Sequence, residues 1–181
     1  MNTCIWIHTE IPTELIDHSI EALKEQESNL ESSQLGKTGR YDDHRTSEQL
    51  WVPAQIWISG WVKHYADLAN ENFKFDLNGI FQNVMQYTVY KEGGRFDWHV
   101  DGIEPSEDGD IRKLAFSIQL SDESEYEGGE LEFLDGPEKF TAPKRKGTII
   151  FFDPRITHRV RKVKSGTRRA LVGWIGGPRW K

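Results

Sequence analysis

Apolar residues recur at three- and four-residue spacing in two early stretches and then give way to short β-type runs, so the chain reads as helices followed by sheet. Over residues 13–31, Leu15, Ile16, Ile20 and Leu23 share one helical face behind Thr13 and Glu14, and the spacing predicts an amphipathic helix packed on a sheet. Residues 32–48, rich in Ser, Gly, Asp and Arg without a period, read as a loop. From 53 to 69, Ile56, Trp57, Gly60, Trp61, His64, Tyr65 and Leu68 predict a second helix. Beyond Asn78-Gly79, runs rich in Val, Ile, Phe, Tyr and Thr predict eight strands near 80–91, 95–101, 112–120, 129–134, 138–142, 147–152, 157–163 and 168–175. The expected fold is mainly β with supporting N-terminal helices (α+β): a jelly roll, or double-stranded β-helix. It forms one domain over 1–181, with helical support over 1–78 and a jelly-roll core over 79–177.

Composition agrees with a single core. Seven Trp and nine Phe bury much area per residue, which compensates for a hydrophobic share of 36%. The single cysteine, Cys4, cannot close an internal disulfide, which points to a reducing cytoplasm. The N-terminus lacks a basic start followed by an apolar run, and no stretch approaches a bilayer span, so a soluble, unprocessed chain with no membrane partner is expected. The net charge of -6 hides an asymmetry, because residues 137–181 hold 13 Lys and Arg against two acids. A nucleic-acid surface is one reading. Neutralisation by acidic early strands interleaved in the same sheet is the favoured one, and no aromatic-basic interleaving suggests a single-strand groove.

Alternate residues of a strand face the same way, so His99 and Asp101 project together in the run Arg95-Phe96-Asp97-Trp98-His99-Val100-Asp101. His158, behind the apolar lead-in 148–152, is the best third ligand. Two histidines and a carboxylate on one face leave three open positions, which suits Fe(II) oxygen chemistry. The bland alternative is an exposed strand pair and a hydrogen-bonded core histidine. His8, His18, His44 and His64 lack ligand-like spacing and read as structural or exposed, although the stretch from Arg40 to Arg45 could be a loop closing over substrate. By parity Phe96 and Trp98 point away from the ligands and read as packing. On the strand at 112–120, Leu114, Phe116, Ile118 and Leu120 form one face, while Ala115, Ser117 and Gln119 form a second that could line a pocket.

Taken together, Tyr90 and Gly94, the His99/Asp101 pair, Gly128-Gly129-Glu130, the run from Gly147 to Phe152, and His158 followed by Gly166, Arg168 and Trp174 resemble the prolyl 4-hydroxylase branch of the 2-oxoglutarate and Fe(II)-dependent dioxygenases. Arg45-Thr46-Ser47 resembles the short Arg-x-Ser element of that branch. The resemblance implies iron on His99, Asp101 and His158, and a distal carboxylate of 2-oxoglutarate held by Arg168, ten residues after the second histidine, with Tyr90 also reaching it. A guanidinium suits that task because it grips a carboxylate through paired hydrogen bonds and stays charged when buried. Arg169 is the rival, but Arg168 shares parity with Ala170, Val172 and Trp174. Many relatives carry Thr where Ala115 stands here, so one cosubstrate hydrogen bond is missing or comes from Ser117.

The implied reaction consumes O2 and 2-oxoglutarate, releases succinate and CO2, hydroxylates an unactivated C–H bond, and leaves room for ascorbate. Halogenating relatives keep a small residue at the Asp101 position, so hydroxylation is expected. The implied substrate is proline in a peptide or protein, with a free amino acid or other small molecule as the alternative; fold-level likeness does not choose between them. A non-catalytic jelly-roll module binding a metal or small acid and a cupin-type iron or zinc enzyme are the rivals from other classes. The sequence leaves the oligomeric state open.

Overall fold

The computed structural model describes residues 4–33, 44–102 and 104–180. Along it run β1 (Ile5–His8), α1 (Thr13–Lys24), β2 (Glu31–Ser32), β3 (Arg45–Thr46), β4 (Glu48–Pro53) and α2 (Ile58–Phe73). Then come β5 (Gly79–Ile80), β6 (Val84–Tyr90), β7 (Arg95–His99), β8 (Ile111–Gln119), β9 (Tyr126–Gly128) and β10 (Leu131–Asp135). The last are β11 (Glu138–Thr141), β12 (Ile149–Phe152), β13 (Thr157–Val160), β14 (Val163–Gly166) and β15 (Arg168–Gly177). The larger sheet runs β1-β12-β8-β15-β6-β4-β2 with β5 also on β15, and the smaller runs β11-β10-β13-β7-β3. Strands β9 and β14 pair apart from both.

From β7 onward the chain alternates between sheets, with β7, β10 and β13 in the smaller one and β8, β12 and β15 in the larger. That alternation makes the jelly roll: β7, β8, β10, β12, β13 and β15 each pair with a strand distant in sequence, and the two inner faces close on each other. Strand β8 is buried on both faces because it separates two cores. Leu114, Phe116 and Ile118 join Met85, Tyr87, Leu171 and the helical residues Ile16, Leu23 and Val62 on one side. Ala115 joins Tyr90, Leu131, Phe133, Ile150, Phe152 and Val160 between the sheets. Each fully buried aliphatic or aromatic side chain contributes about 1.5–3 kcal/mol, so both layers resist opening.

The helical segment departs from the pattern-based expectation in three places. Helix α1 starts after Pro12, with no side-chain cap from Thr13, and stops at Lys24 rather than residue 31. The chain then turns through Glu27–Asn29, where the Glu27 carboxylate accepts from Tyr87 (2.6 Å) and Arg169 (2.8 Å). That tertiary anchor outweighs further helix. Helix α2 begins at Ile58 rather than 53, because Glu48–Pro53 is spent as β4 pairing with residues 84–89 of β6, burying Val52. The stretch 1–78 is therefore not purely helical support: β1 and β4 extend the larger sheet beyond β12 and β6, pairing backbone groups that helices cannot reach. Residues 34–43 of the expected loop, including Arg40, lie outside the described residues. Among the described residues no helix is long and apolar enough to cross a membrane.

The cationic C-terminal stretch is largely paired with acids. Arg159 and Lys139 meet Glu132, Lys164 meets Glu127, Arg161 meets Glu130 and Lys146 meets Asp17. These pairs match the neutralisation expected from the charge pattern, including contacts between late and early segments.

Candidate active site

Strands β7 and β13 lie side by side with His99 opposite His158 in register, and Asp101 follows just beyond the end of β7, its N–H held by the Pro154 carbonyl at 3.0 Å. The donor atoms of His99, Asp101 and His158 all lie within 4.8 Å of one another. Asp101 Oδ1 is 4.0 Å from His99 Nε2 and 3.9 Å from His158 Nε2.

Each side chain is held from behind. His99 Nδ1 is 2.7 Å from the Asp97 carbonyl and His158 Nδ1 is 3.0 Å from the Ile156 carbonyl. A carbonyl only accepts, so Nδ1 carries the proton in both rings and the Nε2 lone pairs face the centre. Trp174 Nε1 donates to Asp101 Oδ2 at 2.8 Å, which leaves Oδ1 for the same point. Burial, reinforced by the neighbouring His158, lowers the pKa of His99 to about 4. His99 is therefore neutral at pH 7, the state a metal ligand needs. Two imidazole nitrogens and one carboxylate oxygen converging from one side fit Fe(II) with open positions opposite, so this is a candidate iron site.

A partly enclosed cavity lies beside this cluster, with His99, Asp101 and His158 in its wall. Phe96, Leu131, Phe152, Val160, Val172 and Trp174 supply apolar wall, and Tyr90, Ser117 and Arg168 line it as well. Arg168 is only 1% exposed, its guanidinium lies 5.4 Å from the Tyr90 ring centroid, and its Nε and Nη2 have no hydrogen-bond partner. Gly129, at φ +65°, lies so close to the Arg168 stem that a Cβ there would stand 3.1 Å from its Cδ. Arg169 faces the other way, onto Glu27. The structure thus brings together all six candidate residues, His99, Asp101, His158, Arg168, Tyr90 and Ser117, around one cavity.

Phe96 corrects the parity argument. An extra residue on β7 shifts the register between the His99–His158 and Phe96–Val160 pairs, so Phe96 turns to the ligand side. Its ring stacks on His99 with centroids 3.6 Å apart. Trp98 does pack outward, under the Arg159 guanidinium.

Two lining residues were missed as site residues. Arg45 spans the wall by donating to Gln86 Oε1 (2.9 Å) and Ser47 Oγ (2.9 Å), and it lies over Phe96. The Arg-x-Ser element was its only signal; nothing in sequence marked Gln86. His8, His18 and His64 stay away from the cluster, beside Tyr65, Glu21 and Tyr65 respectively, and His44 lies 3.9 Å from Asp97.

Comparison with known proteins gives a consistent result. The family model described as the 2OG-Fe(II) oxygenase superfamily matches residues 85–176. A PKHD-type hydroxylase of Synechococcus sp. (strain CC9311) is 39% identical over 85 residues, covering 47% of this chain and 37% of that protein, so the chain aligns with little more than a third of that relative. The crystal structure of a Pseudomonas putida prolyl-4-hydroxylase superposes with TM-score 0.76 at 16% identity, covering 94% of this chain and 91% of that one. A Trichoplax adhaerens prolyl hydroxylase in complex with a hypoxia inducible factor peptide fragment superposes with TM-score 0.72 at 15% identity, covering 96% and 84%. At these identities the two structures speak for the shared fold.

Proposed function

Because the chain belongs to the 2OG-Fe(II) oxygenase superfamily, we propose that it hydroxylates an unactivated C–H bond at the His99/Asp101/His158 centre, acting on proline in a peptide or protein. The observation that carries this reading is the pairing, in one cavity, of a metal-competent triad with a buried guanidinium that has unpartnered N–H groups. Family membership implies Fe(II), 2-oxoglutarate and O2. Together these supply an oxidant able to attack an aliphatic C–H bond, with 2-oxoglutarate leaving as succinate and CO2.

In this reading His99, Asp101 and His158 hold the metal, and Trp174 keeps the Asp101 carboxylate turned towards it. Arg168 receives the distal carboxylate of the cosubstrate through paired N–H groups, with Tyr90 and Ser117 beside it. The apolar wall of Phe96, Leu131, Phe152 and Val160 keeps water from the reacting centre. Proline is favoured by the two superposed structures, both prolyl hydroxylases, one of which holds a peptide. One observation favours a free amino acid instead: Arg45 places a charged group in that largely apolar wall, where it could pair with a substrate carboxylate. With a single cysteine, Cys4, we assign the protein to a reducing cytoplasm.

The test is incubation with Fe(II), 2-oxoglutarate and a library of proline peptides and free amino acids, read by succinate release and a mass gain of one oxygen. Hydroxylated peptide supports the proposal and hydroxylated free amino acid supports the alternative. Absence of a visible charge-transfer band on anaerobic addition of Fe(II) and 2-oxoglutarate overturns both.

A further inference from the structure

Beside Arg168 stands a second unpartnered group that the proposed reaction does not yet use. Tyr126, at the start of β9, is 5% exposed, and its buried hydroxyl has no hydrogen-bond partner. It sits against Arg168: a Cβ built on Gly129 would lie 3.1 Å from both Tyr126 Cε2 and Arg168 Cδ. The two residues also sense each other: burial raises the phenol's pKa, while the Arg168 charge and the approach of its N–H groups to the hydroxyl pull it back down. Lys144 fixes the ring from the far side. Its ammonium stands 4.1 Å from the ring centroid and donates to the carbonyls of Tyr126 (3.4 Å) and Gly128 (3.0 Å).

A buried hydroxyl beside a buried guanidinium fork, neither of them satisfied, is costly unless a ligand completes the set. We infer that Tyr126 is a positioning residue for the cosubstrate: its hydroxyl accepts an N–H of Arg168 when a carboxylate takes the others, fixing the fork's orientation. This inference rests on the proposed function and adds a residue to it. It also accounts for Gly129, because a side chain there would crowd both partners.

The test is titration of anaerobic Fe(II)-loaded protein with 2-oxoglutarate and with 2-oxobutyrate, which keeps the chelating end but lacks the distal carboxylate; both are read by the charge-transfer band. Tyr126→Phe is expected to weaken 2-oxoglutarate binding about tenfold, the size of one hydrogen bond to a charged group, and to leave 2-oxobutyrate unchanged. Tyr126→Leu, a second side chain without the hydroxyl, should repeat the pattern, with a melting curve verifying that each variant is folded. Unchanged 2-oxoglutarate affinity in folded variants overturns the Tyr126 role alone, as does equal weakening for both acids. Wild-type protein that binds neither acid overturns the cosubstrate reading, and this inference with it.

Discussion

At the metal end of the cavity every converging side chain is braced by the fold: two backbone carbonyls hold the imidazoles and an indole N–H holds the carboxylate. Around Arg168 the opposite holds, for Arg168 in the cavity wall and Tyr126 beside it are buried with polar atoms that have no partner among the described residues. Bracing leaves donor lone pairs converging on one point, which suits a cation. Unpartnered N–H groups need an anion. One cavity that demands a cation at one end and an anion at the other suits a metal-chelating acid with a second, distal carboxylate.

The harshest way to break this contrast is to remove a ligand. His99→Ala or Asp101→Ala should reduce succinate formation to background and abolish stoichiometric iron binding, and full turnover in both would dismiss the triad. Arg168→Ala should raise the 2-oxoglutarate requirement about a hundredfold, since paired charge-assisted bonds are worth about 1.5–3 kcal/mol each. Arg169→Ala should leave that requirement alone, and the reverse order would move the anchor by one residue.

Smaller changes sharpen the contrast. Trp174→Phe keeps the ring and removes the brace on Asp101, so Fe(II) affinity should fall about tenfold, in line with other outer-shell partners; an unchanged affinity would mean that the indole N–H does not orient the ligand. The smallest effect lies outside the cavity, where Arg169 pairs with Glu27. Burial pushes the Glu27 carboxyl up, but hydrogen bonds from Arg169 and Tyr87 outweigh it and hold the group below its ordinary value of 4.5. A depressed carboxylate stabilises the fold at pH above that ordinary value and loses the contribution as pH falls through the depressed one. Glu27→Gln should therefore flatten the acid limb of urea-melt stability against pH, and an identical slope would show that the pair contributes nothing.

The candidate site was legible wherever chemistry and spacing coincide within one strand. The shared parity of Arg168 with Trp174 was readable because β15 fixes side-chain direction, and the two-residue spacing of His99 and Asp101 carries that direction just past the end of β7. The same rule failed at Phe96, since a bulge between two register pairs is decided by how β7 meets β13 and leaves no local mark. Strand β4 was hidden for a related reason. Its six residues carry a weak pattern beside the stronger helical one, and their strand partners, β6 and β2, are distant in the chain.

By itself the sequence determined the β-rich class and offered three metal-competent side chains, because these depend on residue type and short-range periodicity; the arginine expected to face a cosubstrate came from the family resemblance. Tertiary structure decided how far the helices run, which strands complete the larger sheet, that Phe96 stacks on His99, and that Tyr126 stands beside Arg168. Those outcomes depend on pairing between segments far apart in the chain. Residues 96 and 158, or 126 and 168, carry no information about their meeting until two sheets close around the same cavity.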